Sequence, residues 1–159
     1  MKFKDFNDET TARSYIDGIV AERVSRAKHA LNSYGFCAHS SFIEIALRGE
    51  LEEYLSHSST YRRISSEEKL KMVLDMAKGV AEIQYGPDIL SRLEAAQSTP
   101  LQAQITILDI KPSNMLIMED GTVKVSDFNN AELLRWNKTD HSVCRFKLLR
   151  ERSPVSFPH

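Results

Sequence analysis

Residues 105–128 read ITILDIKPSNMLIMEDGTVKVSDF, and this stretch decides the fold. An apolar run ends in Asp109-Ile110-Lys111-Pro112-Ser113-Asn114, and a second run covers Met115 to Met118. Glu119-Asp120-Gly121-Thr122 has turn chemistry, and a third run, Val123 to Val125, leads to Asp127-Phe128. The order predicts loop, strand, tight hairpin, strand, loop, with Gly121 where positive φ is tolerated. Such a hairpin returns the chain on itself, so Asp109, Lys111, Asn114 and Asp127 are expected to converge on one cleft. Two carboxylates, an amide oxygen and an ammonium make a poor core, but they suit the handling of a magnesium-bound phosphate.

The composition narrows the setting. The 159 residues suffice for one domain, and 42% hydrophobic with 27% charged residues is the balance of a globular protein. A net charge of −1 gives no reason to expect nucleic acid or an anionic membrane surface as partner. Cys37 and Cys144 are too few for a disulfide scaffold, which favours a reducing, cytoplasmic or otherwise intracellular compartment. The opening MKFKDFNDETT lacks the apolar core of a signal peptide, and no apolar run approaches membrane-spanning length. Asn137-Lys138-Thr139 is therefore not expected to carry a glycan.

The 105–128 segment resembles the catalytic loop, following hairpin and metal-binding loop of eukaryotic protein kinases. Asp109-Ile110-Lys111-Pro112-Ser113-Asn114 matches the second half of the catalytic loop. Asp127-Phe128 matches the start of the metal-binding triplet, with Asn129 where the family has Gly, and the 18-residue interval from Asp109 to Asp127 suits the family. The resemblance implies an α+β, protein-kinase-like fold of serine/threonine type, truncated at both ends and divergent. Residues 1–46 would be a partial small lobe and hinge, and 47–159 the first part of the helical large lobe with catalytic loop and activation segment.

Met1-Lys2-Phe3 then resembles the end of a small-lobe strand, with Lys2 gripping the α- and β-phosphates; as residues alone they read equally well as a charged tail. Nothing like G-x-G-x-x-G occurs in the chain. Ala12 to Leu31 predicts a helix with Ile16, Ile19, Val20 and Val24 on its apolar side, and Gly18 as a weak point. By resemblance this is the regulatory helix, with Glu22 nearest to the pairing glutamate, or merely a solvent-facing one. Residues 34–37 and 41–46 predict two short strands leading into the hinge. The carry-over makes Ile43 the gatekeeper, sets the backbones of Glu44 and Ala46 against adenine, and gives Glu50 the ribose hydroxyls. His39 and His57 lie in polar turns with no matching ligands.

A short helix from Gly49 to Leu55 is followed by a stronger one. Ser65 and Glu68 form a capping box, and Leu70, Val73, Leu74, Ala77, Val80 and Ala81 recur with a period of 3.6. The resemblance makes this the central large-lobe helix, with its apolar stripe partly uncovered. Residues 88–104 interrupt the family pattern, and Ile89, Leu90 and Leu93 predict one or two extra helical turns.

In the resemblance Asp109 is the catalytic carboxylate and Lys111 reaches the γ-phosphate. Asn114 and Asp127 ligate Mg2+, and Leu116 closes the cleft beneath adenine or simply packs in the core. The implied reaction moves the ATP γ-phosphate to a serine or threonine of a protein. Three departures bear on activity. Ile107-Leu108 replaces His-Arg, which predicts loose packing beneath the metal loop and no dependence on a phosphorylated activation segment. Asn129 replaces Gly, as the residue that best tolerates left-handed angles. Near the end, Cys144-Arg145-Phe146 and Ser153-Pro154 look like the close of an activation segment, with Val155 for its glutamate. A pseudokinase or scaffold module with weak or no nucleotide binding, and a small helical interaction protein, remain open beside the enzyme.

Overall fold

The computed structural model describes residues 8–37, 40–56, 63–95, 102–137, 139–140 and 142–143. In chain order these form helix α1 (Asp8–Val24), strands β1 (Ser33–Cys37) and β2 (Ser40–Ile43), and helices α2 (Leu51–Ser56), α3 (Ser66–Tyr85) and α4 (Ile89–Glu94). Strand β3 (Ile105–Ile107), a 3-10 turn (Pro112–Asn114), β4 (Met115–Ile117), β5 (Val123–Val125), β6 (Ala131–Leu133), β7 (Trp136–Asn137) and β8 (Ser142–Val143) follow. The strands pair antiparallel as β1–β2, β3–β6, β4–β5 and β7–β8. The result is a mixed α/β domain of helices and small antiparallel sheets. Residues 1–7, with Lys2, and the activation-segment motifs from Cys144 onward lie outside the described residues, as do His39 and His57.

The hairpin around Gly121 forms the centre. Met115 faces Val125 and Ile117 faces Val123 across the ladder, and none of the four is more than 1% exposed. Met118 N–H donates to the Thr122 carbonyl at 2.9 Å, and Gly121 takes φ +81°. Burying each such side chain contributes about 1.5–3 kcal/mol. Val20, Val24, Ile83, Ile105 and Phe128 complete the same core.

Helix α1 stops at Val24, seven residues short of the predicted end at Leu31. Beyond Val24, tertiary pairing replaces helical hydrogen bonds. Val125 N–H donates to the His29 carbonyl at 2.8 Å, Leu31 N–H donates to the Val125 carbonyl at 2.9 Å, and Ala30 bridges Val125 in parallel. Gly18, a liability as a helix residue, makes room for β1: a Cβ there would sit 2.5 Å from the Phe36 ring. Tyr15 meets that ring edge-on at 6.4 Å.

Helix α3 begins with the full capping box, Ser65 Oγ accepting from Glu68 N–H and Glu68 accepting from Ser65 N–H. The N-terminal part of its periodic apolar face is turned outward, with Leu70 69% exposed, Val73 59% and Leu74 50%, while Val80 packs partly against the core. The face turned into the domain carries Asp75, Gly79, Glu82 and Ile83, with Met72 and Met76 packed partly beside it. At Gly79 a Cβ would lie 2.5 Å from the His29 carbonyl oxygen, so only glycine lets the loop approach the helix this closely. The intervening segment forms α4 as one short helix, anchored by the buried Ile89. Gln104 then joins Gln84 and Leu134 through backbone hydrogen bonds at 2.7 and 2.8 Å.

Candidate functional site

Pairing of β3 with β6 sets Ile107 opposite Ala131, so the loop after β3 runs beside the loop after β5. Ser126 fastens the two loops: its N–H and its hydroxyl both donate to the Asn114 carbonyl, at 2.8 and 2.9 Å. Within this frame Lys111 Nζ donates to Asp109 Oδ2 at 2.8 Å. Asn114 Nδ2 donates to the Asp109 carbonyl at 3.0 Å, and Asn130 Nδ2 reaches Asp109 Oδ2 at 3.3 Å. The hydrogen bond from Lys111 is the main cause holding the Asp109 carboxyl below the usual carboxylate range, against a smaller opposing effect of burial. Lys111 is correspondingly raised, first by that bond and further by the fields of Asp109, Asp127 and Glu52. Asp109, Lys111 and Asn114 are thus joined by hydrogen bonds, and Asp127 acts on the same ammonium.

Asp127 has φ 57°, a left-handed backbone. The resemblance made Asn129 the residue able to tolerate that conformation; among the described non-glycine residues Asp127 alone has it. A short carboxylate can sustain it by accepting from the backbone two residues on, as Asp127 Oδ1 does from Asn129 N–H at 3.4 Å. Phe128 is buried, and its N–H donates to Asp17 Oδ1 at 2.8 Å. The acidic residue of α1 that reaches the loop after β5 is therefore Asp17, while Glu22 is exposed. The signal was present in the sequence. Asp17 shares the i, i+3, i+4, i+7 face with the buried Val20, Ala21 and Val24, and Glu22 falls off it. Packing beneath the loop is firm, because Ile107 joins Phe128 in the core at 8% exposure.

Burial is the chief cause raising the Asp17 carboxyl, opposed by the Phe128 N–H and reinforced by Asp127. A carboxyl raised in the folded state binds more protons there than in the unfolded chain, so stability declines as pH rises through its folded value. Asp17→Asn keeps an oxygen for Phe128 without the charge. It should therefore melt no lower than wild type at pH 7 and flatten the pH dependence of melting above pH 4. Asp17→Leu leaves the buried N–H without an acceptor and should lose about 1–3 kcal/mol. Thermal unfolding across pH checks both, and a lower melting point for Asp17→Asn than for Asp17→Leu contradicts the account.

The residues expected around a nucleotide base are less gathered. Ile43 ends β2 with 47% exposure. The Glu44 carboxylate accepts from Asn32 N–H at 2.7 Å and from Lys124 Nζ at 2.6 Å, and the Glu44 N–H donates to the Asn32 carbonyl at 3.1 Å, so its side chain is fastened to β5 and its backbone amide to Asn32. The Ala46 carbonyl accepts from Gly49 N–H in a turn. Glu50 and Leu116 do meet, as bridge partners across the end of β4. A cavity of about 550 Å³ lies between Glu44, Ile45, Leu47, Met118 and Lys124. It borders Glu44 but none of Asp109, Lys111, Asn114 or Asp127, so it is separate from the paired loops.

For Mg2+ the donor set is sparse. The candidate oxygens are the Asp127 carboxylate and Asn114 Oδ1, which is left as an acceptor by the turn of Nδ2 to Asp109. The neighbouring Asn129 Oδ1 is buried without a hydrogen-bond partner. No group of three or more His, Cys, Asp or Glu suited to a metal occurs among the described residues. Two protein oxygens fit magnesium, which keeps waters and substrate phosphates in its shell, better than they fit calcium or zinc.

No family model matches the chain. It is similar to a probable leucine-rich repeat receptor-like protein kinase of Arabidopsis thaliana, at 27% identity over 144 residues covering 88% of this chain and 12% of that one. A serine/threonine-protein kinase of Saccharomyces cerevisiae is 41% identical over 66 residues, 42% of this chain and 11% of its own. A G-type lectin S-receptor-like serine/threonine-protein kinase of Arabidopsis thaliana is 33% identical over 104 residues, 63% of this chain and 11% of its own. These partial matches indicate distant homology to the protein kinase superfamily. The chain spans about 12% of the length of the curated relatives it matches first. No described helix is long and apolar enough to cross a membrane.

Proposed function

We propose that this is a kinase-like domain whose paired loops bind Mg·ATP and present a serine or threonine hydroxyl of a protein to the γ-phosphate. The observation that carries the reading is the hydrogen-bonded group Asp109–Lys111–Asn114, fastened through the Asn114 carbonyl to Ser126, the residue before Asp127. Asp109, held ionised, accepts a hydrogen bond from the substrate hydroxyl and so aims its oxygen. Its lowered pKa makes it a weak base for a free alcohol. The proton passes to it as the new O–P bond forms, the bond to the departing ADP oxygen breaks and the hydroxyl becomes acidic. Lys111 offsets charge on the γ-phosphate. Asn114 Oδ1 and the Asp127 carboxylate would hold the magnesium, which when bound neutralises phosphate charge. The Glu44 carbonyl and the backbone of Ala46 would take adenine, with Ile43 as gatekeeper, Leu116 closing the cleft and Glu50 taking the ribose hydroxyls; the candidate for the inner phosphates, Lys2, lies outside the described residues. In this reading residues 1–46 belong to a small lobe and 47–159 to a large lobe.

Titration calorimetry should show ATP binding only with magnesium present, because the ion offsets the phosphate charge. Tight binding without magnesium, or no heat at saturating Mg·ATP, contradicts the reading. Retained binding with no phosphate transferred to a protein acceptor marks the chain as a nucleotide-binding pseudokinase.

A further inference from the structure

A buried histidine held between two carboxylates joins α3 to the strand that delivers Asp127. His29, Asp75 and Glu82 are 2%, 5% and 2% exposed. His29 Nδ1 lies 3.0 Å from Glu82 Oε1, and His29 N–H donates to Glu82 Oε2 at 2.8 Å. On the other edge of the ring, Nε2 lies 3.6 Å from Asp75 Oδ1, while Asp75 Oδ2 accepts from Val123 N–H at 3.3 Å. The His29 carbonyl accepts from Val125 N–H, so residues 29–31 run along β5 as a third rail.

Two carboxylates buried on one helix face are costly unless each finds donors. Among the described residues their donors come from His29 and from β5, so the pair has a low-energy arrangement only when that rail and strand sit at one height on α3. Gly79, between them on the helix, admits the His29 carbonyl to that position. Strand β5 ends two residues before Asp127, and the intervening Ser126 is tied to Asn114.

We infer that His29 is a positioning residue for Asp127: the Glu82–His29–Asp75 clamp fixes β5 on α3 and thereby sets the Asp127 loop against Asn114. The inference rests on the reading of Asp127 and Asn114 as the magnesium ligands, but its first test needs no nucleotide. Amide exchange at Ser126, bonded to Asn114, and at Phe128, bonded to Asp17, reports the metal loop directly. His29→Leu should speed exchange at both by tenfold or more relative to Ile83 in α3. His29→Asn, which can still donate from the position of Nδ1, should restore most of the protection. If His29→Leu does not fold, Glu82→Gln keeps the shape, removes the charge and should show the same ordering. In parallel, the magnesium midpoint for ATP binding should rise about tenfold in His29→Leu and recover in His29→Asn, at a temperature where Trp136 fluorescence reports the folded chain. Faster exchange spread evenly over the domain, or confined to Leu31 and Val125, shows a structural residue only and overturns the inference. Wild type that binds no Mg·ATP sinks the kinase reading separately, and the exchange pattern then still decides whether His29 positions the loop.

Discussion

Asp127→Ala is expected to abolish magnesium-dependent ATP binding, while Asp109→Ala should leave the affinity within a few-fold of wild type. The two carboxylates differ in what they address. Asp127 is the exposed acid at the left-handed turn and shares the cation with Asn114 in our reading. Without it one neutral amide oxygen remains, and the phosphates lose the ion that offsets their charge. In our reading Asp109 addresses the acceptor hydroxyl rather than the nucleotide, and its removal frees the Lys111 ammonium, now held at 2.8 Å, to meet phosphate. Alanine at φ 57° also strains the backbone by about 1–2 kcal/mol. Asp127→Gly removes the carboxylate without that strain, so it should lose binding as fully and separate ligand loss from misfolding. Calorimetric titration of the four proteins with ATP and magnesium decides the matter. Equal binding by wild type and both Asp127 variants would falsify the site as a kinase-type metal site.

The second large effect concerns the core and the outward face of α3. Met115→Ala should cost about 2–5 kcal/mol, because Met115 is fully buried between β5 and the helices and its loss leaves a cavity. Leu70→Lys and Leu74→Lys should each change stability by no more than about 0.5 kcal/mol despite the larger chemical change. Both leucines, with Val73, form an exposed apolar patch on one helix face. The double lysine variant should therefore stay soluble at concentrations where wild type associates. Wild type itself should melt below about 65 °C, within the ordinary mesophile range. Urea titration and sedimentation measure these outcomes. A loss from Leu70→Lys as large as that from Met115→Ala would show that the leucine face is core.

Local signals in the sequence were enough for the hairpin and the loops it joins. Alternating apolar residues around Gly121 leave one register that buries Met115, Ile117, Val123 and Val125 together, and that register carries Asp109, Lys111 and Asn114 to one end. The capping box at Ser65 and the short helix after Asp88 were legible for the same reason, since cap and period act within a few residues. Periodicity located the apolar face of α3 but could not say which face the domain would cover. That was decided by the His29–Leu31 rail, which needs a glycine to approach and two acids to receive it.

The end of α1 and the identity of its acidic contact were likewise tertiary decisions. Helix propensity continues past Val24, yet the backbone groups of residues 29 and 31 find partners on Val125, nearly a hundred residues along the chain. Asp17 could have been found from its place on the Val20–Val24 face, but its partner, the N–H of Phe128, is in reach only once the loop after β5 is packed. By itself the sequence determined the hairpin, the caps and which polar residues the loops would carry, because these depend on neighbours a few positions apart. Tertiary structure alone decided that Asp75, Glu82 and His29 belong inside, since burying charge is tolerable only where distant donors meet it.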